Sequence, residues 1–404
     1  RYHAVKAAKF RCVNENALLL LGSATPSVES MYYAKIGKYK LHTLPERYNN
    51  QPLPEVIISD LKKSLSSGCE RAIGKELYDE LEKNINNNEQ SILFLNRRGS
   101  SKFLLCDECG YIPECPNCSV PLVYHSKNNR IMCHHCGYSE IKPDDCIRCE
   151  HKLKPVGFGT QKVEQEIKEL FPEVEIIRMD TDTTTQKASH ENLLNRFKDN
   201  NIPILLGTQM ITKGLDFENV TLVGVLLADQ GISSENYKAT ENSFSLMTQV
   251  IGRAGRGGKT GRAVIQTFSP DNALIRAAAA QVYDSFFDNE LEIRRSRNLP
   301  PFGDVFTLTV LADTEYASFT ACKKLCEKAK YVMDNEYVDM NARILGPSPL
   351  SVLKLNNRYR YKIMICTDNN KKSRDLISRL IRDFAKNPQN KGMSIIPDIN
   401  STDF

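Results

Sequence analysis

Eight of the thirteen cysteines in this 404-residue chain lie between Cys106 and Cys149. They fall into four Cys-x-x-Cys pairs: Cys106/Cys109, Cys115/Cys118, Cys133/Cys136 and Cys146/Cys149. Each pair sets two thiolates on one side of a tight knuckle, the bite that a tetrahedral zinc requires. Four knuckles make two four-cysteine sites. The second and third pairs are separated by 14 residues, enough for a hairpin and close to zinc-ribbon spacing. Cys115, Cys118, Cys133 and Cys136 are therefore assigned to one zinc. The outer set, Cys106, Cys109, Cys146 and Cys149, is assigned to the other. Disulfides and redox pairs are the competing readings. No secretory signal opens the chain, which starts Arg1-Tyr2-His3, and in a chain this long metal is the expectation. A ferredoxin cluster would need a more compressed run. His125, His134, His135 and His151 are read as surface or packing residues, because cysteines already fill both sites.

The charge of this stretch bears on what it touches. Residues 105–154 carry six basic against seven acidic side chains. Two zincs with four thiolates each bring the formal sum to about −5. Such a surface is expected to dock protein, or to stack through Tyr111, Tyr124 or Tyr138, rather than to bind phosphates.

A second set of residues sits at the ends of apolar runs. Ala17–Leu21 leads into Gly22-Ser23-Ala24-Thr25-Pro26, and Ile92–Leu95 into Asn96-Arg97-Arg98-Gly99. Further on come Gly207-Thr208-Gln209-Met210 with Lys213, Gly214 and Asp216, then Gln249 to Gly257 with Gly252, Arg253 and Arg256. Backbone amides and a threonine hydroxyl at a strand end can hold a DNA phosphate. Two arginines at i and i+3 can meet the charge that spreads over a γ-phosphate during transfer. Arginine suits that task because it stays charged and offers a planar fork. In order, the four segments resemble motifs III, IV, V and VI of superfamily-two helicases. That resemblance implies catalytic roles for Arg253, Arg256 and Gln249. It implies that Ser23, Thr25, Gly214, Asp216 and Gly252 couple the nucleotide site to the nucleic acid, and that Arg97, Arg98, Thr208 and Gln209 contact DNA. An isolated arginine is usually a solvated helix face; the ordered set carries the weight. Gly255–Thr260 imitates the end of a P-loop, but Arg253 stands where its first glycine is required.

These residues need elements to position them. Ala17–Thr25 reads as a buried parallel strand, 26–45 as a helix and a short strand, and 47–67 as a polar linker. A helix is expected at 72–86 and strands at 91–95, 174–178, 202–206, 220–227 and 263–268, with helices between, so the sheet is parallel. A smaller unit follows Leu299-Pro300-Pro301-Phe302, with strands near 305–311 and 358–366 and helices near 316–335 and 371–386. In Arg358-Tyr359-Arg360-Tyr361-Lys362-Ile363, period two sends three cations to one face. No acid falls within 340–366, so Arg358, Arg360 and Lys362 are expected to form a DNA-tracking face; an ordinary half-buried strand is the rival. The fold class is α/β: a RecA-like parallel-sheet helicase lobe with an inserted two-zinc Cys-rich module and a small C-terminal α/β domain. The expected divisions are 1–46 for the end of a first helicase lobe, 47–70 for a linker, 71–104 with 155–299 for the second lobe, 105–154 for the zinc insertion and 300–404 for the C-terminal domain. Composition is that of a globular protein, and a net charge of +5 fits nucleic acid without requiring it. No apolar run is long enough to span a bilayer; no membrane partner and a cytoplasmic location are expected.

A second lobe split after "FLNRRG" by eight cysteines, followed by "GFGTQKVEQEIKELFP", "MDTDTT", "GTQMITKG" and "TQVIGRAGRG", resembles the primosomal replication-restart helicase family over essentially the whole chain. "RYHA" is similar to the end of that family's aromatic-rich loop, although Val5-Lys6 depart from its usual continuation. "RRSRNLPPF" and "LGPSPLSVLKLNNRYRYKI" resemble the approach to its C-terminal domain and the core of that domain. The resemblance implies ATP-dependent 3′-to-5′ DNA unwinding at stalled or branched forks and restart of replication by primosome assembly. It implies two zincs, with ATP and magnesium in the full-length protein. Its partners would be DNA, the single-stranded-DNA-binding protein and other primosome proteins. The Walker A and B motifs are expected upstream of Arg1. A non-enzymatic zinc-ribbon binding module is the alternative; a DnaJ-type chaperone lacks support because its glycine-rich knuckles are not matched here. RecQ-like helicases carry their cysteines after the second lobe, not inside it.

Overall fold

The computed structural model describes residues 3–45, 52–65, 71–95, 102–106, 108–116, 121–125, 129–133, 138–156, 159–180, 187–208, 211, 217–232, 236–255 and 258–401. The chain divides into two units, 1–42 and 43–404.

The first unit holds helices α1 (Ala4–Asn14) and α2 (Val28–Lys35). Ser27 caps α2 by accepting from the Ser30 amide at 3.2 Å. The expected strand at 17–25 is not formed: these residues are in no helix or strand, with Leu18 and Leu20 91% and 84% exposed. The run is apolar enough for a sheet interior, but no neighbouring strand is present among the described residues of this unit. The short strand expected before 45 is likewise absent among them.

The second unit opens with β1 (Glu55–Asp60) and α3 (Leu61–Leu65), followed by α4 (Lys75–Asn86) and β2 (Gln90–Leu95). The linker reading therefore fails over 55–65: β1 is the edge strand of the main sheet, paired parallel with β11. Then come β3 (Lys102–Cys106), β4 (Val123–His125), β5 (Arg130–Met132), β6 (Ser139–Ile141) and β7 (Leu153–Val156). The chain returns through α5 (Thr160–Leu170), β8 (Ile176–Met179), α6 (Lys187–Asp199), β9 (Ile204–Gly207), β10 (Val220–Leu226), α7 (Asp229–Ile232), α8 (Ala239–Ile251), β11 (Arg262–Thr267), α9 (Ala273–Ala280) and α10 (Tyr283–Ser296). It ends with β12 (Asp304–Ala312), α11 (Glu315–Glu336), β13 (Ala342–Leu355), β14 (Arg358–Thr367), α12 (Lys371–Lys386) and β15 (Ser394–Ile399).

Six strands form one parallel sheet in the order β1-β11-β10-β2-β9-β8. Its central strands are apolar on both faces because helices cover both, as parallel sheets require; β2, β9 and β10 are buried along their whole length. Helix α4 buries Leu77 and Leu81 at its strip of i, i+4 positions, each worth about 1.5–3 kcal/mol of burial. It approaches β10 closely enough that a Cβ on Gly224 would lie 2.6 Å from Leu93 and 3.0 Å from Leu77. The cysteine-rich segment forms its own antiparallel sheet, β6-β5-β4-β3-β7, between β2 and α5. The last sheet, β13-β14-β12-β15, is antiparallel, with Leu308, Val310, Ile363 and Ile365 packed against α11 and α12.

Candidate functional site

The outer cysteines converge as their nesting predicts. Strands β3 and β7 pair so that Cys106 faces Leu153 across the ladder, which draws the first and last knuckles together. The Cys146 amide donates to His151 O at 2.7 Å and the Cys106 amide to Tyr111 O at 2.9 Å, closing each knuckle. The four sulfurs of Cys106, Cys109, Cys146 and Cys149 all lie within 4.8 Å of one another. Cys106 and Cys149 are 3.4 Å apart, and Cys109 and Cys146 3.5 Å. Disulfides would need roughly 2.05 Å; a tetrahedral zinc with bonds of about 2.3 Å needs roughly 3.8 Å between sulfurs. Burial resists ionisation of Cys146, yet the amides of Arg148 and Cys149 and neighbouring thiols bring it down to about 7. The His151 amide favours the Cys149 thiolate, but burial and the crowding of Cys109, Cys106 and Cys146 push it up to about 12. Four thiolates this close cannot all ionise without a cation between them, so the donor set fits zinc. Of the inner set, Cys115 and Cys133 are buried; Cys118 and Cys136 lie outside the described residues. His151 hydrogen-bonds to Cys149 O through Nδ1 at 2.9 Å, a packing role. Tyr111 lies under the Arg148 guanidinium at 4.8 Å, and Tyr138 donates to Glu140 at 2.7 Å.

The phosphate-facing candidates separate to opposite ends of the parallel sheet. Thr208 follows β9 at the end where β2 finishes with Leu95, since Phe94 pairs with Gly207. Its hydroxyl is buried, the residue being 2% exposed, and has no hydrogen-bond partner among the described residues. At the other end, α8 terminates and Arg253 emerges half-buried, where the Gly255 amide donates to Val220 O at 3.0 Å. Val220 pairs with Gln90, so the two places differ by about five residues along the strands, roughly 16 Å. Gly255 takes φ +76°, and a Cβ there would lie 2.4 Å from the Gly261 amide; only glycine permits this fold-back. Beneath the turn, Lys259 Nζ contacts Glu89 at 3.0 Å and Asn219 at 3.1 Å, and Arg262 bonds to Glu80 and Asn84. Burial opposes the charge on Glu89, but the Thr221 hydroxyl and Lys259 hold it below its ordinary range. Gln249 is exposed on α8 and donates to Ser245 at 2.8 Å; Gly252 caps the helix. In the first unit, Ser23 Oγ accepts from the Thr25 amide at 3.1 Å. Arg97, Arg98, Gln209, Gly214, Asp216 and Arg256 lie outside the described residues.

The expected three-cation face is corrected at Lys362. Alternation holds, but Lys362 is fully buried in mid-sheet between Thr309 and Ser348. The face opposite the helices is itself covered, with Met364 and Cys366 packed against Tyr237 and Leu299. Arg358 donates to Leu311 O and Gly392 O at 3.0 and 2.8 Å and pairs with Asp313. Arg360 donates to Val352 O at 3.0 Å, holding a bulge in β13. Arg360 thus ties β14 to β13, and Arg358 ties β14 to β12 and to the turn before β15. What sequence reasoning missed is the buried Glu241–Arg294–Glu290 group, because isolated charges on amphipathic helices look solvated.

Residues 115–140 match the PriA DNA helicase Cys-rich region domain, 151–258 the helicase conserved C-terminal domain, and 295–400 the primosomal protein N C-terminal domain. The replication restart protein PriA of Bacillus subtilis is 38% identical over 402 residues, covering 99% of this chain and 49% of that protein. The chain belongs to the PriA family. PriA of Synechocystis is 38% identical over 90% of this chain and 44% of its own length; PriA of Rickettsia felis is 40% identical over 91% and 56%. The chain thus spans about half the length of the PriA relatives it matches. It carries the PriA Cys-rich zinc-ribbon domain inside a RecA-like parallel-sheet lobe. Among the described residues, no helix is long and apolar enough to cross a membrane.

Proposed function

We propose that this chain is the second motor lobe, zinc module and C-terminal domain of an ATP-dependent 3′-to-5′ DNA helicase that restarts replication at stalled or branched forks through primosome assembly. ATP and magnesium bind a first lobe of the full-length protein, which supplies the Walker motifs and the strands that pair with Ala17–Thr25. Arg253, Arg256 and Gln249 act at the nucleotide phosphates, with Gly252, Gly214, Asp216, Ser23 and Thr25 coupling that site to DNA. Thr208, Gln209, Arg97 and Arg98 hold the DNA backbone.

The observation that carries this reading is the Thr208 hydroxyl, buried and without a partner among the described residues at the carboxyl end of β9. An unsatisfied buried hydroxyl costs about 1–3 kcal/mol, and a phosphate oxygen arriving at that strand end would satisfy it. Two zincs hold the module, one on the outer four cysteines and one on the inner four. With its acidic balance and its exposed Ile141 and Ile147, the module docks other primosome proteins or the single-stranded-DNA-binding protein. The test uses the full-length protein with magnesium-ATP on forks carrying a single-stranded 3′ or 5′ tail. Unwinding dependent on ATP and on the 3′-to-5′ polarity supports the reading; absence of DNA-stimulated hydrolysis overturns it.

A further inference from the structure

The α8 helix, which ends at Ile251 two residues before Arg253, is tied at its other end to a buried charge group. Arg294 on α10 is fully buried. Its Nε donates to Glu290 at 2.8 Å and its Nη2 to Glu241 on α8 at 2.8 Å. Nη1 donates to Pro300 O at 3.3 Å, at the start of the C-terminal domain. The Thr240 hydroxyl donates to the second oxygen of Glu290 at 2.8 Å. The guanidinium lies 5.5 Å from the Tyr237 ring, and Tyr237 packs on Val305, Met364 and Cys366 of the C-terminal sheet. One side chain thus touches the motor helix, its neighbour and the chain leading into the next domain.

Stability does not explain such a group. Replacing a buried ion triad by apolar residues of like volume is often neutral or stabilising, whereas removing one partner is costly. What a fork of charge-assisted bonds adds is direction. Packing alone does not fix the junction either. Beside the triad, between Leu274, Phe286 and Ile293 on one side and Val305, Leu345 and Met364 on the other, lies a cavity of about 370 Å³. This cleft is partly open to solvent, so along it the two domains meet without close packing, and the directional bonds bridge the seam beside it.

We propose that Arg294 is a positioning residue that sets the angle of the C-terminal domain on α8, the helix that leads into Arg253, and so links what that domain contacts to the nucleotide site. The functional half of this rests on the helicase reading; the positional half does not. The test places spin labels on unnatural amino acids at exposed Lys198 and Asp334 of the full-length protein and measures their separation. The wild type gives one narrow distribution. The apolar triple change of similar volume, Glu241→Leu, Glu290→Leu, Arg294→Met, keeps thermal stability but broadens the distribution. It leaves hydrolysis without DNA unchanged and lowers the DNA-stimulated rate about tenfold, within the usual range of coupling between sites. Should that protein fail to fold, Arg294→Lys decides: it keeps the charge but cannot bond both carboxylates and Pro300 at once, so the distribution widens part-way. An unchanged narrow distribution in a folded variant overturns the proposal. Broadening with a wild type that lacks DNA-stimulated hydrolysis supports the positional half and defeats the helicase reading alone.

Discussion

Two apolar runs in this chain are nearly interchangeable in composition and opposite in fate. Leu18 and Leu20 lie in the open, whereas Ile92, Leu93, Phe94 and Leu95 are at most 1% exposed. The second run has β10 and β9 as hydrogen-bonded neighbours and α4 above it; the first has no strand neighbour among the described residues. Hydrophobicity states that a segment needs covering, and only its partners determine whether it is covered. The cysteine module answers the same need differently. Four of the eight residues in its small core are cysteines, a donor set that fits a metal where other cores use apolar neighbours.

The largest effect expected from this contrast is metal removal. Structural zinc sites contribute about 10–16 kcal/mol of apparent binding free energy. Stripping zinc with a chelator should melt the five-stranded sheet while the six-stranded sheet survives, as read by amide exchange over 102–156. Elemental analysis should find two zincs per chain, and retention of module protection after complete stripping would contradict the metal's role. Next, Phe94→Ala should cost about 3–5 kcal/mol in denaturant unfolding, because β2 is closed on both faces. The matching change on the bare run, Leu20→Asp, should move the stability of this 404-residue chain by less than about 0.5 kcal/mol. In the full-length protein the same substitution should cost several-fold more, since the run is then a sheet interior. Equal small effects in both would end the proposal that 17–25 completes a first-lobe sheet. The smallest effect concerns the buttress of the arginine turn. Glu89→Gln should cost at most about 1 kcal/mol. The folded state holds Glu89 below its ordinary range, so its contribution is present above that range and fades as pH falls through the depressed value. The wild-type and Glu89→Gln proteins should therefore converge in stability on acidification.

The strong periodic elements are legible in the sequence. The parallel strands and the two long C-terminal helices fall within a few residues of their expected places. Edge elements are not legible. β1 sits behind Pro52 and Pro54 in polar surroundings, and β15 contains Pro397, which an edge strand tolerates. β13 is interrupted by bulges around Pro347 and Pro349. Alternation in β14 is present and still misleads: period two assigns faces, but it does not say that the face opposite the helices is covered by a neighbouring domain. The outer zinc set is legible because Cys-x-x-Cys spacing encodes geometry locally. The Arg294 group is not, because Glu290 and Arg294 look like an ordinary i,i+4 surface pair of α10, and Glu241 of α8 joins them only after folding.

The central claim is that this lobe supplies arginines to a nucleotide held by a partner lobe. Arg256→Ala in the full-length protein tests it most directly, with ATP turnover measured at saturating DNA and DNA affinity measured in parallel. Turnover should fall about 10³-fold or more, the usual effect of a trans-acting arginine, with DNA affinity largely unchanged. Near-normal turnover in that variant, and in Arg253→Ala as well, would contradict it.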